Sequence, residues 1–244
     1  MFAILQISDS NTIFKKPQIQ SQRITLPSGD AFFTVTTDKH HGKIPWKKLE
    51  TCLGILRDNI LIPDDITIPE GINITKFSPD ILPRLMLMNS ATDYITNHKQ
   101  IFQNKSLTVF DEKGIYTQYI EKLLPCFGNI KIVTDGTDIY LSLSQRLLET
   151  YGFSLIISEE ENFNSDVIIT HSCKVPLYFN GIVFTNEKKY IMNAMVCYGN
   201  EINLPNQYES LRPQNIEDIL FASALYEKCG VTELRNLKYK SFGC

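Results

Sequence analysis

The sequence predicts an α/β protein with a C-terminal parallel sheet flanked by helices, preceded by a smaller α+β N-terminal domain. Three observations in the second half support this prediction. Short β-branched or aromatic runs recur, helical patterns separate the first three of them, and these three begin at 107, 130 and 153. Steps of this size leave room for the helical crossovers that parallel pairing requires.

Length and composition set the domain number and exclude some partners. The chain has 244 residues, so we expect two domains, 1–104 and 105–244, each large enough to bury a core. Hydrophobic residues make up 43% and charged residues 21%, as in folded globular proteins. The net charge of −3 gives no positive field that would collect a phosphate backbone, so nucleic acid is not an expected partner.

The cysteines and the apolar runs predict a cytoplasmic protein. The six cysteines are widely scattered, and several stand in apolar surroundings, where a free thiol behaves as a small buried hydrophobe. The first residues lack the basic segment of a signal peptide, and no apolar run is long enough to span a bilayer. We therefore expect no disulfide framework and no membrane contact. A homo-oligomer is compatible with this sequence.

The N-terminal half shows mixed elements. We predict a strand at 2–7, a hairpin that turns at Pro27–Asp30, and a strand near 59–63. Apolar residues at steps of three and four predict a helix from Trp46 to Leu56, with Pro45 in its first turn and one face in the core. A second helix, from about Ile81 to Ile101, is expected to connect the two domains.

The C-terminal half alternates more regularly. We predict strands at 107–110, 130–133, 153–157, 167–170, 177–186 and 190–198. Helical spacing of apolar residues predicts helices between the first three of these strands, and Asp138 or Thr137 suits the N-cap of the second helix. A last helix is expected at 216–229 with Asn215 as its N-cap.

Residues 105–172 resemble the Rossmann-like cofactor domain of dehydrogenases, and the shikimate-dehydrogenase type most of all. The resemblance rests on the order of elements, on an acidic residue at the end of the second strand, and on the run Asp166–Ser172, an Asp-plus-aliphatics strand followed by His171. It implies a parallel sheet with a cofactor cleft at its carboxyl edge. It covers about a quarter of the chain and lacks the glycine fingerprint of the family.

The loop after the first strand of this region departs from that fingerprint. A Rossmann pyrophosphate site needs several glycines so that backbone N–H groups can approach the phosphates. Here the loop is Asp111–Tyr116, with two carboxylates and the single glycine Gly114. Asp111 and Glu112 would repel a diphosphate unless Lys113 or a metal compensated.

Two further positions are candidates for ligand contact. Asp135 ends the second strand 24 residues after Asp111, near the separation of a ribose-binding acid, although the same segment is also a good turn and helix cap. His171 follows the fourth strand, at the carboxyl end of the predicted sheet. Cys173 would make a nucleophile beside His171, but residues two apart on an extended chain need not meet.

Asp38, His40 and His41 form the most compact group of metal-capable side chains. Adjacent histidines on a strand diverge, and no further ligand stands at a suitable spacing. A polar loop is the favoured interpretation, and no metal is expected.

We keep three functional hypotheses in order of preference. In the first, the protein binds a small ligand or nucleotide at the carboxyl edge of the C-terminal sheet, between the two domains, through the residues Asp111, Gly114, Tyr116, Asp135, Thr137 and His171. In the second, it is a non-enzymatic interaction or regulatory protein with a degenerate Rossmann-like core. In the third, it is an NAD(P)-dependent oxidoreductase. The sequence identifies no cofactor and does not decide whether the protein is an enzyme.

Overall fold

The computed structural model describes residues 1–12, 17–161, 163–172, 175–199 and 201–243. Its contacts divide the chain into two units. The first unit comprises Met1–Leu82 and Leu204–Leu234, and the second comprises Pro83–Asn203 and Arg235–Cys244. The expected domains 1–104 and 105–244 stay a prediction.

The described residues form strands and helices in the following order. The strands are β1 (Ala3–Thr12), β2 (Ile19–Thr25), β3 (Ala31–His40), β4 (Ile60–Leu61), β5 (Ser106–Phe110), β6 (Asn129–Val133), β7 (Ile156–Ser158), β8 (Val167–Thr170), β9 (Tyr178–Thr185), β10 (Met192–Gly199) and β11 (Phe242–Gly243). The helices are α1 (Trp46–Leu53), α2 (Ile81–Asn97), α3 (Lys99–Phe102), α4 (Thr117–Leu123), α5 (Thr137–Tyr151), α6 (Asn206–Glu209) and α7 (Asp218–Cys229).

The sheet of the first unit has the order β2-β3-β1-β4. The predicted hairpin is confirmed as the antiparallel pair β2 and β3, whereas β1 pairs in parallel with both β3 and β4. Helix α1 packs Leu49 and Leu53 into a core that includes Val35, Ile60 and Ile74. Burying each of these leucines contributes roughly 2 kcal/mol.

Three predicted helix ends are wrong in detail. Helix α1 stops at Leu53, since Gly54 takes φ +53° and the chain continues as a 3₁₀ turn, and Pro45 is its N-cap. The N-cap of α5 is Gly136, and that of α7 is Glu217. No side chain caps any of these three helices by a hydrogen bond, so the polar residues nearby gave a misleading signal.

The sheet of the second unit has the order β11-β10-β9-β8-β5-β6-β7. All its strands pair in parallel except β11, which is antiparallel to β10. Counted from β5, the six parallel strands follow the order 3-2-1-4-5-6, which is the strand order of the Rossmann fold. The predicted fold class and the Rossmann-like resemblance are therefore confirmed.

The central strands of this sheet are buried on both faces, as parallel sheets require. Leu107, Val109, Ile168 and Ile169 have no exposed surface. Helices follow β5 and β6, but the connections 171–177 and 186–191 contain none among the described residues. The second half of the sheet is thus a reduced version of the Rossmann pattern.

The cysteines differ in part from expectation. Cys126 and Cys229 are buried free thiols and Cys52 is an exposed one. Cys197, expected to be free, is disulfide-bonded. An apolar sequence neighbourhood predicts burial, but pairing depends on contacts distant in sequence. This correction weakens the cysteine argument for a reducing compartment. Within the described ranges, no helix is both long and apolar enough to cross a membrane.

Candidate functional site

The strand order places a topological switch point between β5 and β8. In open α/β sheets, ligands bind outside the carboxyl ends of the strands at this point. The chain leaves the sheet there at Asp111, after β5, and at His171, after β8. β6 ends beside β5, at Val133, and is followed by Thr134 and Asp135.

Asp111 turns inward and holds its own loop. Its side chain has no exposed surface. Its Oδ2 accepts hydrogen bonds from the backbone N–H of Tyr116 at 2.8 Å and from the Tyr140 hydroxyl at 2.6 Å, and its Oδ1 accepts from the N–H of Lys113 at 3.3 Å. Tyr116 directly precedes α4. The Asp111 carboxylate thus accepts hydrogen bonds from backbone N–H groups at the position where a Rossmann loop donates such bonds to a phosphate.

Two buried tyrosines surround this carboxylate. Burial, reinforced by the negative charge of Asp111, raises the pKa of both Tyr116 and Tyr140 far above that of an ordinary phenol. Arg84 lies near enough to Tyr116 to act in the opposite direction on its pKa. The Tyr116 hydroxyl nevertheless makes no hydrogen bond of good geometry, and Arg84 pairs with Glu112 at 3.5 Å. Both phenols therefore remain neutral. The Tyr116 hydroxyl is buried without a hydrogen-bond partner of good geometry.

Gly114 gives this loop its turn. It has φ +67°, a conformation that is strained for any residue with a side chain. A Cβ atom built there would lie 2.9 Å from Cδ1 of Ile139, at the start of α5. The loop from Asp111 to Tyr116 therefore packs against the beginning of α5.

Asp135 and Thr137 lie on the connection between β6 and α5. Asp135 is exposed and makes no hydrogen bond or ion pair with any described residue. Thr137 is the first residue of α5, and Thr134 Oγ1 accepts a hydrogen bond from the Gly136 N–H at 3.0 Å. The structure thus brings five of the predicted site residues to neighbouring loops, with His171 on the other side of β5.

His171 belongs to a hydrogen-bonded network on its side of the sheet. The side-chain nitrogen of Asn186 lies 2.6 Å from His171 Nδ1 and donates to the carbonyl oxygen of Pro83 at 3.0 Å. The Tyr239 hydroxyl donates to Asn186 Oδ1 at 2.8 Å. Burial raises the pKa of Tyr239, so this hydroxyl keeps its proton.

This network orients the His171 ring. The carbonyl of Pro83 is only an acceptor, so the Asn186 NH₂ group must face it, and the amide orientation follows. The same NH₂ group then donates to Nδ1, which must be the unprotonated nitrogen of the ring. The contact with Asn186 orients the His171 ring through its Nδ1 atom, at the carboxyl edge of the sheet.

Sequence reasoning missed the residues that support the predicted ones. Asn186 could have been found, because it follows β9 immediately, as His171 follows β8. Tyr140, Arg84 and Tyr239 gave no signal, because they come from helices or from a segment far along the chain. Cys173 lies outside the described residues.

The polar loop at His40 and His41 shows no metal geometry. The two rings stack edge to face with centroids 4.4 Å apart, and His41 takes φ 49°. Within the described ranges, no three His, Cys, Asp or Glu side chains are grouped to hold a metal ion.

Comparisons with known proteins add little beyond this geometry. The chain matches no protein-family model and no curated protein sequence. Among solved structures, it is similar to L-tryptophan dehydrogenase from Nostoc punctiforme, with 10% identity and a TM-score of 0.36 over 83% of this chain and 74% of that one. It is also similar to a lysine cyclodeaminase studied for its recognition of L-lysine, L-ornithine and L-2,4-diamino butyric acid, with 11% identity and a TM-score of 0.29 over 69% and 56%. These values are too low to carry an argument about function. The strand order itself defines the second unit as a Rossmann-like α/β unit.

Proposed function

We propose that the second unit binds a small ligand without a diphosphate group at the carboxyl edge of its sheet. The observation that carries this proposal is the position of His171 directly after β8, beside the switch point, with its Nδ1 atom 2.6 Å from the side-chain nitrogen of Asn186. A side chain oriented by a network of this kind is preorganised for recognition, since little conformational entropy remains to be lost on binding. The expected position between two domains stays a prediction.

The Asp111 loop argues against a dinucleotide bound in the usual manner. Its carboxylate already accepts the backbone N–H groups of Lys113 and Tyr116. A pyrophosphate would have to displace a buried carboxylate from these donors and would then face its negative charge, which costs several kcal/mol. This makes the NAD(P)-dependent oxidoreductase the least supported of the hypotheses.

The remaining groups favour hydroxyl-bearing or cationic ligands. Asp135 offers an exposed carboxylate at the end of β6, near the place where Rossmann proteins bind ribose hydroxyls. Gly114 and Thr137 would contribute shape and backbone contacts in this proposal, whereas the buried Tyr116 would support the loop from behind. A nucleoside, with a ribose and no phosphate, meets these requirements.

Thermal shift and calorimetry with a defined panel test the proposal. The panel is adenosine, S-adenosylmethionine, NAD⁺, NADPH and inorganic pyrophosphate. We expect adenosine or S-adenosylmethionine to raise Tm, and pyrophosphate to have no effect. His171→Ala should weaken that binding about tenfold, the loss of about one good hydrogen bond. His41→Ala in the first unit is the matched control and should change nothing.

Two results would overturn the proposal. If no member of the panel binds, the carboxyl edge is not a nucleoside site. If NAD⁺ binds more tightly than adenosine, the diphosphate is recognised in spite of Asp111, and an oxidoreductase becomes the better hypothesis.

A second candidate function rests on the same loop. An internal carboxylate at the phosphate position is also what a Rossmann-like core without any cofactor would show. The protein would then be an interaction or regulatory protein. Light scattering at several protein concentrations separates the two candidates, because a homo-oligomer that buries the strand ends would favour this second one.

A further inference from the structure

The first unit contains a cavity that the proposed function does not use. Its volume is about 600 Å³. This lies within the range of small-molecule sites, roughly 300 to 1,000 Å³. It is lined by residues of β1 and β3, of the loop before α1, of the loop after β4, and by one residue near α7: Ile7, Ser8, Lys39, Gly42, Lys43, Ile44, Trp46, Pro63, Asp65, Ile66, Thr67, Pro69 and Asn215.

The position of the cavity in the fold is that of a ligand site. β1 pairs in parallel with β3 and with β4, so the three strands share one carboxyl edge. Lys39 is the penultimate residue of β3, and Pro63 follows β4 by two residues. The cavity therefore opens at the carboxyl ends of parallel strands, where open α/β sheets bind their ligands.

The charged side chains around the cavity favour an anion. Among the lining residues that the structure describes, Lys39 and Lys43 stand with one carboxylate, Asp65. Lys43 makes no ion pair with any residue in the described part of the chain. Two ammonium groups beside one carboxylate leave a net positive charge at the cavity, which attracts an anion.

The apolar residues that line the cavity favour a ligand whose anionic group is attached to an apolar body. Trp46 is half-buried and forms one wall, with Ile44 and Ile66 beside it. A second groove of about 540 Å³ shares Ile44, Trp46 and Pro69 with the first, and prolines and isoleucines dominate its apolar lining. An indole exposed between two grooves offers a flat apolar surface on which an aromatic or branched group can pack.

We propose that this cavity binds a small organic carboxylate with an aromatic or branched aliphatic body. The carboxylate lies at Lys39 and Lys43, and the apolar body packs on Trp46. This site belongs to the first unit and takes a ligand of opposite chemistry to that proposed for His171 and Asp135. This proposal does not depend on the function proposed for the second unit.

The fluorescence of Trp46 provides a direct test, because it is the single tryptophan of the chain. The full-length protein is titrated with phenylacetate and with 4-methylpentanoate, and then with phenylacetamide and phenethylamine, which keep the phenyl group but replace the carboxylate by a neutral or cationic group. We expect saturable changes in emission with a carboxylate. The neutral and cationic analogues should bind about tenfold more weakly or not at all.

Two substitutions in the cavity and one control locate the binding site. Lys43→Gln removes the exposed charge and should weaken carboxylate binding about five- to tenfold, with no change in Tm. Lys122→Gln removes an exposed charge on α4 of the second unit and should have no effect. Trp46→Phe, followed by calorimetry, should weaken binding through the loss of apolar contact.

The outcomes decide the proposal. It is overturned if neither carboxylate gives a saturable signal up to about 10 mM, which corresponds to a binding free energy weaker than roughly 3 kcal/mol. It is also overturned if phenylacetamide binds as tightly as phenylacetate, or if Lys43→Gln and Lys122→Gln have equal effects. Neither the presence nor the absence of adenosine binding at His171 affects the proposal for this cavity.

Discussion

The Tyr140 hydroxyl donates a 2.6 Å hydrogen bond to Oδ2 of Asp111, inside the second unit. The same oxygen accepts the backbone N–H of Tyr116, and the carboxylate is fully buried. A Rossmann-like unit therefore carries an anion of its own chain where dinucleotide-binding relatives of this fold place a phosphate. In the proposed function, this one side chain combines a role in folding with a role in ligand selection.

Tyr140→Phe should destabilise the protein by about 2 to 3 kcal/mol. The substitution keeps the ring but removes a donor from a buried carboxylate, and an ionised group left short of a partner is costly. Urea unfolding followed by circular dichroism measures the change. A loss below about 0.5 kcal/mol would mean that the hydrogen bond contributes little to stability.

Tyr116→Phe is the matched control, with the opposite expectation. The Tyr116 hydroxyl is buried beside the same carboxylate but makes no hydrogen bond of good geometry. Its removal should change stability by less than about 1 kcal/mol, or raise it, because a buried hydroxyl without a partner has lost its hydration for no gain. Equal losses in the two variants would show that the rings, rather than the hydroxyls, respond to the substitution.

Gly114→Ala should cost about 1 to 2 kcal/mol. The strained backbone at φ +67° supplies most of this, since the Ile139 side chain that meets the new methyl group is half-exposed and can turn aside. Gly152→Ala isolates the backbone contribution, because Gly152 has φ +66° and nothing lies within 4 Å of its Cβ position. Thermal unfolding of both variants gives the difference. A Gly114→Ala loss well above that of Gly152→Ala would mean that Ile139 cannot move.

The second-unit sheet was predictable because its information is local. β-branched runs at 107–110 and 167–170 are buried on both faces, and this burial requires an apolar sequence whatever the neighbours are. The spacing of the first three strands then specified parallel pairing. The same local information located Asp111, Asp135 and His171 at strand ends.

The partners of those residues were not predictable. Tyr140 reaches Asp111 from 29 residues away, and Tyr239 reaches Asn186 from 53 residues away. Contacts at such separations depend on which elements pack together, and the sequence alone does not record this. The sequence therefore showed where a site could lie, but not that Asp111 turns inward and satisfies its own loop.

Glu227→Ala should destabilise the first unit by about 1 to 2 kcal/mol. Its Oε1 accepts the backbone N–H groups of Asp80, Ile81 and Leu82 at 2.8 to 3.1 Å, and these are donors without helical partners at the start of α2. Glu217→Ala is the control, because Glu217 is exposed and its side chain caps nothing. Urea unfolding should show a change within about 0.5 kcal/mol for the control. Equal effects of the two substitutions would contradict a capping role for Glu227.

Asp166 should make the stability of the second unit depend on pH in the acid range. The backbone N–H and the hydroxyl of Ser106 both donate to its carboxylate, and they lower its pKa below the ordinary value of 3.8. Since the folded state has the lower pKa, the ionised carboxylate stabilises the fold above pH 3.8, and this contribution disappears as the pH falls through the folded pKa.

Asp166→Asn tests this dependence by urea unfolding at about pH 6 and about pH 2.5. The variant should be less stable than the natural protein at the higher pH, by less than about 1 kcal/mol because Asp166 is exposed and solvent screens its charge. The difference should become smaller at the lower pH, because the contribution of the charge is lost as the pH falls from 3.8 through the folded pKa. Ser106→Ala removes the hydroxyl donor but keeps the backbone N–H, so it should show a smaller loss with the same dependence on pH. A loss that is equal at both pH values would mean that the asparagine disturbs packing and that the charge of Asp166 does not matter.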